Sequence, residues 1–332
     1  MLLGRISMQV TIVLCTYQGV DHLDAQLQSL IAQSQRIGQW LLSDDASADG
    51  TLAVLKSFDE RARGLGMLIH LQRNATNMGY VAHFSAALAR ASGDVIFLCD
   101  QDDVWHKDKI EVMAAHFERD PKLLMVHSDA RLVDFRGMDM GCTLFEALQL
   151  TRAEIEAIHA GSAFEVLARR SCVTGATMAF RRELVELALP VGSGWMHDEW
   201  LAIMAAAVGK IDVIEQPLID YRQHGANQIG MRLRTWHDKW LDLRRAHGAQ
   251  FRAEVARLRV LGERMDALGG LVTEDKKQSV TERCAHLERR IDMGAQRHWR
   301  RLPAVWREAR AGLYRRYGTG WRSVLRDILR RD

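Results

Sequence analysis

The stretch VIFLCDQDDVW, residues 95–105, runs five apolar residues into three carboxylates, Asp100, Asp102 and Asp103, and closes on a tryptophan. A short continuous apolar run bounded by polar residues fits a strand buried on both faces, as in a parallel sheet. Acids crowded at the end of such a strand oppose one another's ionisation, and a divalent cation reverses that cost. An all-oxygen set suits Mg2+ or Mn2+, and Mg2+ is commonly held by one or two carboxylates together with substrate phosphates. The competing reading is that the acids serve the positive end of the helix opening at WHKDKIEVMAAHF. Capping explains Asp103 alone.

Outward from this stretch, residues 10–14, 39–42, 67–71 and 124–126 are also short and apolar, and longer segments of helical periodicity separate them. This is βαβα order. Leu23, Leu27, Leu30 and Ile31, and later Val81, Phe84 and Leu88, give the crossovers one apolar stripe each. The expected fold is therefore α/β, with a mostly parallel sheet covered on both faces and ligands bound at the carboxyl ends of its strands. The polar clusters lie at those ends: 16–19, Asp44-Asp45, 74–79 and the Asp100 run. Beyond residue 130 the order loosens, with helices expected over 151–169 and 197–208 and strands over 172–180 and 211–221. From 231 onward the chain reads as helical and basic, with turn signals at Gly269-Gly270, at Pro303 and from Gly318 to Gly320. Two domains follow, 8–230 and a C-terminal helical extension over 231–332, in keeping with roughly 150 residues per domain.

Charge divides the same way: residues 1–230 carry 20 Lys+Arg against 29 Asp+Glu, whereas 231–332 carry 25 against 13. The five cysteines, Cys15, Cys99, Cys142, Cys172 and Cys284, are scattered without a C-x-x-C pair, which argues against a disulfide framework or zinc cluster and for a cytoplasmic chain. Gly4, Arg5, Ser7 and Gln9 interrupt the only run resembling a signal peptide, and no stretch reaches the roughly 18 apolar residues of a spanning helix. An acidic first domain without a recognition motif disfavours nucleic-acid binding.

SDDASADGT (43–51), NMG (77–79), CDQDDVW (99–105), HDEW (197–200) and YRQHGAN (221–227), in one collinear order, resemble glycosyltransferase family 2, inverting enzymes with a GT-A nucleotide-sugar fold. The D-Q-D-D-V-W and Y-R-Q-H-G-x-N forms look most like its rhamnosyltransferase-type branch. The resemblance implies that Thr16 and Tyr17 line the nucleotide pocket, that Asp45 with Asp44 beside it meets a pyrimidine base, and that Asn77 and Gly79 approach the donor. It further implies Asp100 near the ribose and metal, Asp102 as direct metal ligand, Asp103 near the donor sugar or acceptor, and His224 as a late metal ligand. Arg222 would neutralise diphosphate, against the blander reading of a surface salt bridge. His83 stands where many relatives have Asn and is given no donor role.

Inversion by direct displacement needs one base to take the acceptor hydroxyl proton. Asp198 matches that base, with Glu199 as rival and His197 as an orienting neighbour; the alternative is that Asp198 caps its helix. Trp105 and Trp200 either stack on sugars or fill the core. WRSVLRDILRR places Trp321, Val324, Leu325, Ile328 and Leu329 on one stripe among arginines, suited to the inner face of an anionic membrane or to packing on its own domain or a second subunit.

The expectation is thus a Mg2+- or Mn2+-dependent inverting glycosyltransferase. It would move a sugar, with L-rhamnose as first candidate, from a dTDP- or UDP-linked donor to a glycan or lipid-linked glycan of the bacterial surface. The alternatives are a catalytically silent nucleotide-sugar-binding module and an aspartate-dependent phosphohydrolase. The latter's motif belongs on a first strand, whereas this one follows the fourth.

Overall fold

The run at the heart of the sequence forms a strand because each of its five residues finds apolar cover: Val95–Cys99 is buried throughout. The computed structural model describes residues 8–223 and 247–330. β1 (Val10–Thr16), α1 (Val20–Ile31), β2 (Gln39–Asp44), α2 (Thr51–Gly64), β3 (Ile69–Arg73), α3 (Tyr80–Leu88) and β4 (Val95–Cys99) alternate as the periodicity predicts. β1 pairs in parallel with β2 and β4, and β2 with β3. Register aligns their carboxyl ends: Thr16 lies opposite Asp44, Asp44 opposite Arg73, and Leu14 opposite Cys99. Every residue of β1 is buried as well, so both faces of these central strands are covered. Ile12, Leu14, Val95 and Phe97 are wholly inaccessible, and each such burial contributes about 1.5–3 kcal/mol.

Past β4 the pairing becomes mixed. β5 (Val104–Trp105), α4 (Lys109–Arg119), β6 (Leu123–Val133) and β7 (Asp139–Thr143) lead to the short helices α5 (Leu144–Ala147), α6 (Arg152–His159) and α7 (Ala163–Leu167). Then come β8 (Met178–Arg181), α8 (Glu183–Ala188), α9 (His197–Val208) and β9 (Lys210–Arg222). The sheet runs β3-β2-β1-β4-β8-β6-β9-β5, with β7 on β6. β8 enters antiparallel to both β4 and β6, so the parallel half gives way to a mixed half where β6 and β9 pair in parallel again. The single helix expected over 151–169 is two, divided where Gly161 takes a positive φ of 86°. The strand expected over 172–180 is instead a 3-10 turn, Gly175–Thr177, followed by β8.

Spatial clustering separates two units. The first takes the chain through Ala163, Cys172–Val191 and the segment from Met196 into β9; the second takes Phe164–Ser171, Gly192–Trp195 and the C-terminal helices. In the second, α10 (Gly248–Ala267) and α11 (Glu274–Gly294) pack against each other across a 3-10 turn at Gly269–Leu271. α12 (His298–Arg310), α13 (Leu313–Tyr317) and α14 (Trp321–Leu329) join α11 around Met293, Val305, Tyr314 and Val324. Pro303, read as a turn signal, lies inside α12. Its missing N–H deprives the Trp299 carbonyl of the usual helical donor. Part of the arginine excess here is internal: Arg290 is buried with its Nε 2.6 Å from Asp327 Oδ2. None of the described helices is long and apolar enough to cross a membrane.

Candidate active site

The loops leaving β1, β2, β3 and β4 meet at one edge of the sheet, and they are knitted together by side chains. Asp44 is fully buried and accepts from Ser47 N (3.0 Å), Ser47 Oγ (2.5 Å) and Thr16 Oγ1 (3.2 Å). Asp45, 1% exposed, accepts from Asn74 Nδ2 at 2.8 Å, from Met78 N at 3.0 Å and from Gly79 N at 3.1 Å. A buried carboxylate must be satisfied by donors, and here the chain supplies them, so Asp44 fastens its own turn and Asp45 fastens the 74–79 loop. Asn77 and Gly79 remain at the surface of that loop, with Asn77 Oδ1 accepting from Gly79 N at 3.0 Å. Gly79 adopts φ 76°, and Gln18 and Ala46 take positive φ in the adjoining loops.

Thr16 is buried, whereas the Tyr17 side chain is 47% exposed at the loop surface. Its backbone is clamped on both sides by Gln101, whose Oε1 accepts from Tyr17 N at 2.8 Å and whose Nε2 donates to Tyr17 O at 2.9 Å. His83 is buried with Nε2 2.7 Å from Ser43 Oγ, an internal strut between α3 and β2.

At the end of β4 the three acids differ in burial. Asp103 is buried; its Oδ1 accepts from Arg222 N at 3.0 Å, and its Oδ2 has no partner among the described residues. Burial first, then the charges of Asp102 and Asp100, push its carboxyl well above the usual range. It does not cap α4, whose N-cap position is Asp108. Asp100 and Asp102 are partly exposed. Burial, with Asp102 and Asp198 nearby, raises Asp100 to about 7. Arg222 donates from Nε to Asp102 O at 2.8 Å, and from Nη1 to Asp134 O and Phe135 O at 3.3 and 3.1 Å. The guanidinium braces the acidic loop against the β6–β7 hairpin. His224 lies outside the described residues.

Asp198 occupies the first turn of α9, two residues past the N-cap Met196, and is 8% exposed. Its Oδ1 accepts from Glu199 N (2.8 Å) and its Oδ2 from Gly175 N (3.1 Å), which fixes the carboxylate's orientation. His197 stacks on Phe84 with centroids 4.2 Å apart, and burial lowers its pKa, keeping the ring neutral. Trp105 and Trp200 are core residues, 3% and 0% exposed.

Two further residues belong to this constellation, and the sequence reading passed over both. Tyr221, on β9, lies in the field of Asp103, Asp100, Asp102 and Asp198; burial first and these charges second hold its phenol protonated. Lys109, wholly buried, places Nζ 3.8 Å from the Trp105 ring centroid and donates to Ala176 O at 2.6 Å. Its charge faces Asp100 and Asp103, yet burial outweighs them and lowers its pKa to about 7. Lys109 and Asp198 therefore hold one 3-10 turn at two points, Ala176 O and Gly175 N.

The donors gathered at β4 are carboxylate oxygens, and one of them, Asp103 Oδ2, is buried and unpaired; this chemistry suits a hard dication. No closed set of three His, Cys, Asp or Glu ligands occurs among the described residues. Such a metal would be shared with a substrate rather than caged by protein.

A model of the family described as Glycosyl transferase family 2 matches residues 11–186. An uncharacterized glycosyltransferase of Nostoc sp. is 26% identical over 225 residues, which is 66% of this chain and 66% of that protein. The putative teichuronic acid biosynthesis glycosyltransferase TuaG of Bacillus subtilis is 29% identical over 102 residues, 31% of this chain and 39% of its own length. The chain therefore spans under two-thirds of these curated relatives' lengths. TarS of S. aureus, crystallised with UDP-GlcNAc, shares the fold at a TM-score of 0.54 and 15% identity, over 96% of this chain and 90% of that one.

Proposed function

The chain belongs to Glycosyl transferase family 2, and we propose that it is a nucleotide-sugar transferase that carries out metal-dependent inverting transfer with Asp198 as the base. The observation that supports this most is the convergence of Asp100, Asp102 and Asp103 from the end of β4 with Asp198 from the start of α9 around Tyr221. The phosphohydrolase alternative falls with the family assignment.

Asp102 and Asp100 would hold the Mg2+ or Mn2+. When bound, that ion supplies charge neutralisation to the departing nucleoside diphosphate. The loop edge formed by Thr16, Tyr17, Asn77 and Gly79 would seat the nucleotide, while buried Asp45 keeps the 74–79 loop in place. Asp198, oriented by the Gly175 and Glu199 amides, takes the acceptor hydroxyl proton at a carboxylate oxygen as that hydroxyl attacks the anomeric carbon. Tyr221, kept protonated by burial and by the acids around it, adds no further negative charge to the cluster.

The first donor to test is dTDP-L-rhamnose, alongside UDP-linked sugars. The acceptor class is a glycan or lipid-linked glycan of the bacterial surface, met at the cytoplasmic face of the membrane. A nucleotide-sugar panel screened for metal-dependent thermal stabilisation selects the donor. Asp102→Ala should then lose both metal-dependent donor binding and turnover, whereas Asp198→Asn should bind donor like wild type and lose transfer. Near-wild-type turnover in Asp198→Asn would remove Asp198 from this role.

A further inference from the structure

Two helices of the C-terminal unit are amphipathic in an unusual sense: each has a buried side and, on the opposite side, a second apolar stripe open to solvent. On α12 the stripe is Trp299, Leu302 and Trp306; on α14 it is Trp321, Leu325 and Leu329. All six are between 46% and 70% exposed, three of them tryptophans. The buried sides carry Val305 and Val324, which join the small core with Met293 and Tyr314. α12 and α14 pack on each other and both pack on α11, and each keeps its exposed stripe apart from the residues it buries in their shared core.

The polar residues accompanying the stripes have a single sign. Arg300, Arg307, Arg310 and Arg322 are exposed. The only carboxylates on these helices, Glu308 and Asp327, are turned inward at 5% and 0% exposure. Glu308 accepts from His286 Nδ1 and Arg289 Nε, both at 2.7 Å, and Asp327 from Arg290 Nε at 2.6 Å and Tyr314 Oη at 2.7 Å. Ion pairing thus removes negative charge from the surface and leaves tryptophan, leucine and arginine on it.

We propose that this paired-helix face is an interfacial anchor that docks on an anionic lipid bilayer. The occupant is chosen by chemistry. Indole rings favour the level of the headgroups, where one edge is apolar and the other wet, and a purely cationic rim matches a negatively charged leaflet. The paired arrangement deepens the peripheral-membrane part of the functional reading and rests on it only for the choice of membrane. It also moves the anchor from the last helix alone to a surface in which Val324 and Ile328 face the protein rather than the lipid.

The test is sedimentation of the full-length protein with vesicles of phosphatidylcholine alone or of phosphatidylcholine with phosphatidylglycerol, without any sugar donor. Wild type is expected to bind the anionic vesicles, to ignore the neutral ones and to release as salt is raised. Replacing the exposed tryptophans together (W299S/W306S/W321S) should weaken partition about tenfold or more. The exposed-arginine variant R300Q/R307Q/R310Q/R322Q should abolish the preference for anionic lipid. Circular dichroism and turnover on a water-soluble acceptor check that both variants remain folded. Equal binding of wild type and the tryptophan variant, or equal binding to both vesicle types, overturns the proposal. So does a fall in solution mass caused by the tryptophan variant without loss of vesicle binding, which assigns the face to a second copy. A protein that binds vesicles and transfers no sugar separates this proposal from the transferase reading.

Discussion

Replacing Asp100 by Asn should stabilise the metal-free protein at neutral and alkaline pH while leaving it unchanged in acid. Burial and the charges of Asp102 and Asp198 raise the folded-state carboxyl from 3.8 to about 7. Between those values the unfolded chain has released a proton that the folded chain keeps, so stability falls as pH rises through the window and is lowest above about 7. A gap of about three units is worth about 4 kcal/mol. Partial exposure and shared titration within the cluster reduce this to about 2–4 kcal/mol, comparable with one or two core side chains such as Leu14 or Phe97. The asparagine variant has no such charge to bury. Urea unfolding in EDTA should therefore show its midpoint about 1 M above wild type at a pH of about 8, and coincident midpoints at a pH of about 4. Mg2+ or Mn2+ with a nucleoside diphosphate should then stabilise wild type and not the variant. A variant no more stable at the higher pH, or equally stabilised at both, would refute the electrostatic account of the cluster.

Asp45→Ala leaves the buried Asn74 amide without its acceptor, at about 1–3 kcal/mol, and frees the part-buried amides of Met78 and Gly79, which water can partly satisfy. It should lower the unfolding midpoint measurably even without substrate, whereas a purely ligand-contacting Asp45 would leave stability intact. Gly79→Ala meets no atom within 4 Å of its new Cβ, so its cost is the φ of 76° alone, about 1–3 kcal/mol. Titration calorimetry should show weaker donor affinity as the loop relaxes, and unchanged affinity would detach this loop from the donor. Lys109→Met removes the hold on Ala176 O and, through the shared turn, loosens the Gly175 contact to Asp198. Turnover should fall about tenfold with an altered pH–rate profile and an unchanged donor Kd. A fall in donor affinity at constant turnover would contradict this positioning role.

The first four strands and their crossovers were legible because each signal is local: an apolar run, a polar end, a helical stripe. The limits of α9 were equally plain, since the apolar run of HDEWLAIMAAAV stops at Gly209. Pairing partners are not local. Nothing in MAFR reveals that β8 lies antiparallel between β4 and β6, and nothing in the short run at 124–126 shows that β6 extends over 11 residues once β8 and β9 flank it. In the second unit, composition misled in a definite way. The basic excess counts every Lys and Arg alike, but pairing draws Arg290 inward to Asp327 and ties Arg289 to the buried Glu308, so only part of that excess lies at the surface.

At the site, residue type was readable and orientation was not. Asp44-Asp45 and Asp102-Asp103 look alike in sequence, yet the first pair is consumed by loop donors while Asp103 keeps a buried oxygen unpaired. Lys109 did leave a trace: it falls on the same helical stripe as the buried Met113 and Phe117, where a lysine is costly without a purpose. That cost bears on what the cluster requires. Had Lys109 balanced the acids by itself, its own pKa would be raised and that of Asp100 depressed. Instead burial moves both toward neutrality, each to about 7, so desolvation outweighs their mutual attraction. The internal cation positions the turn without discharging the acids, and further positive charge is needed before Asp100 and Asp103 can ionise. A dication arriving with a diphosphate meets that need at the moment of binding, which couples formation of the charged site to the presence of the donor.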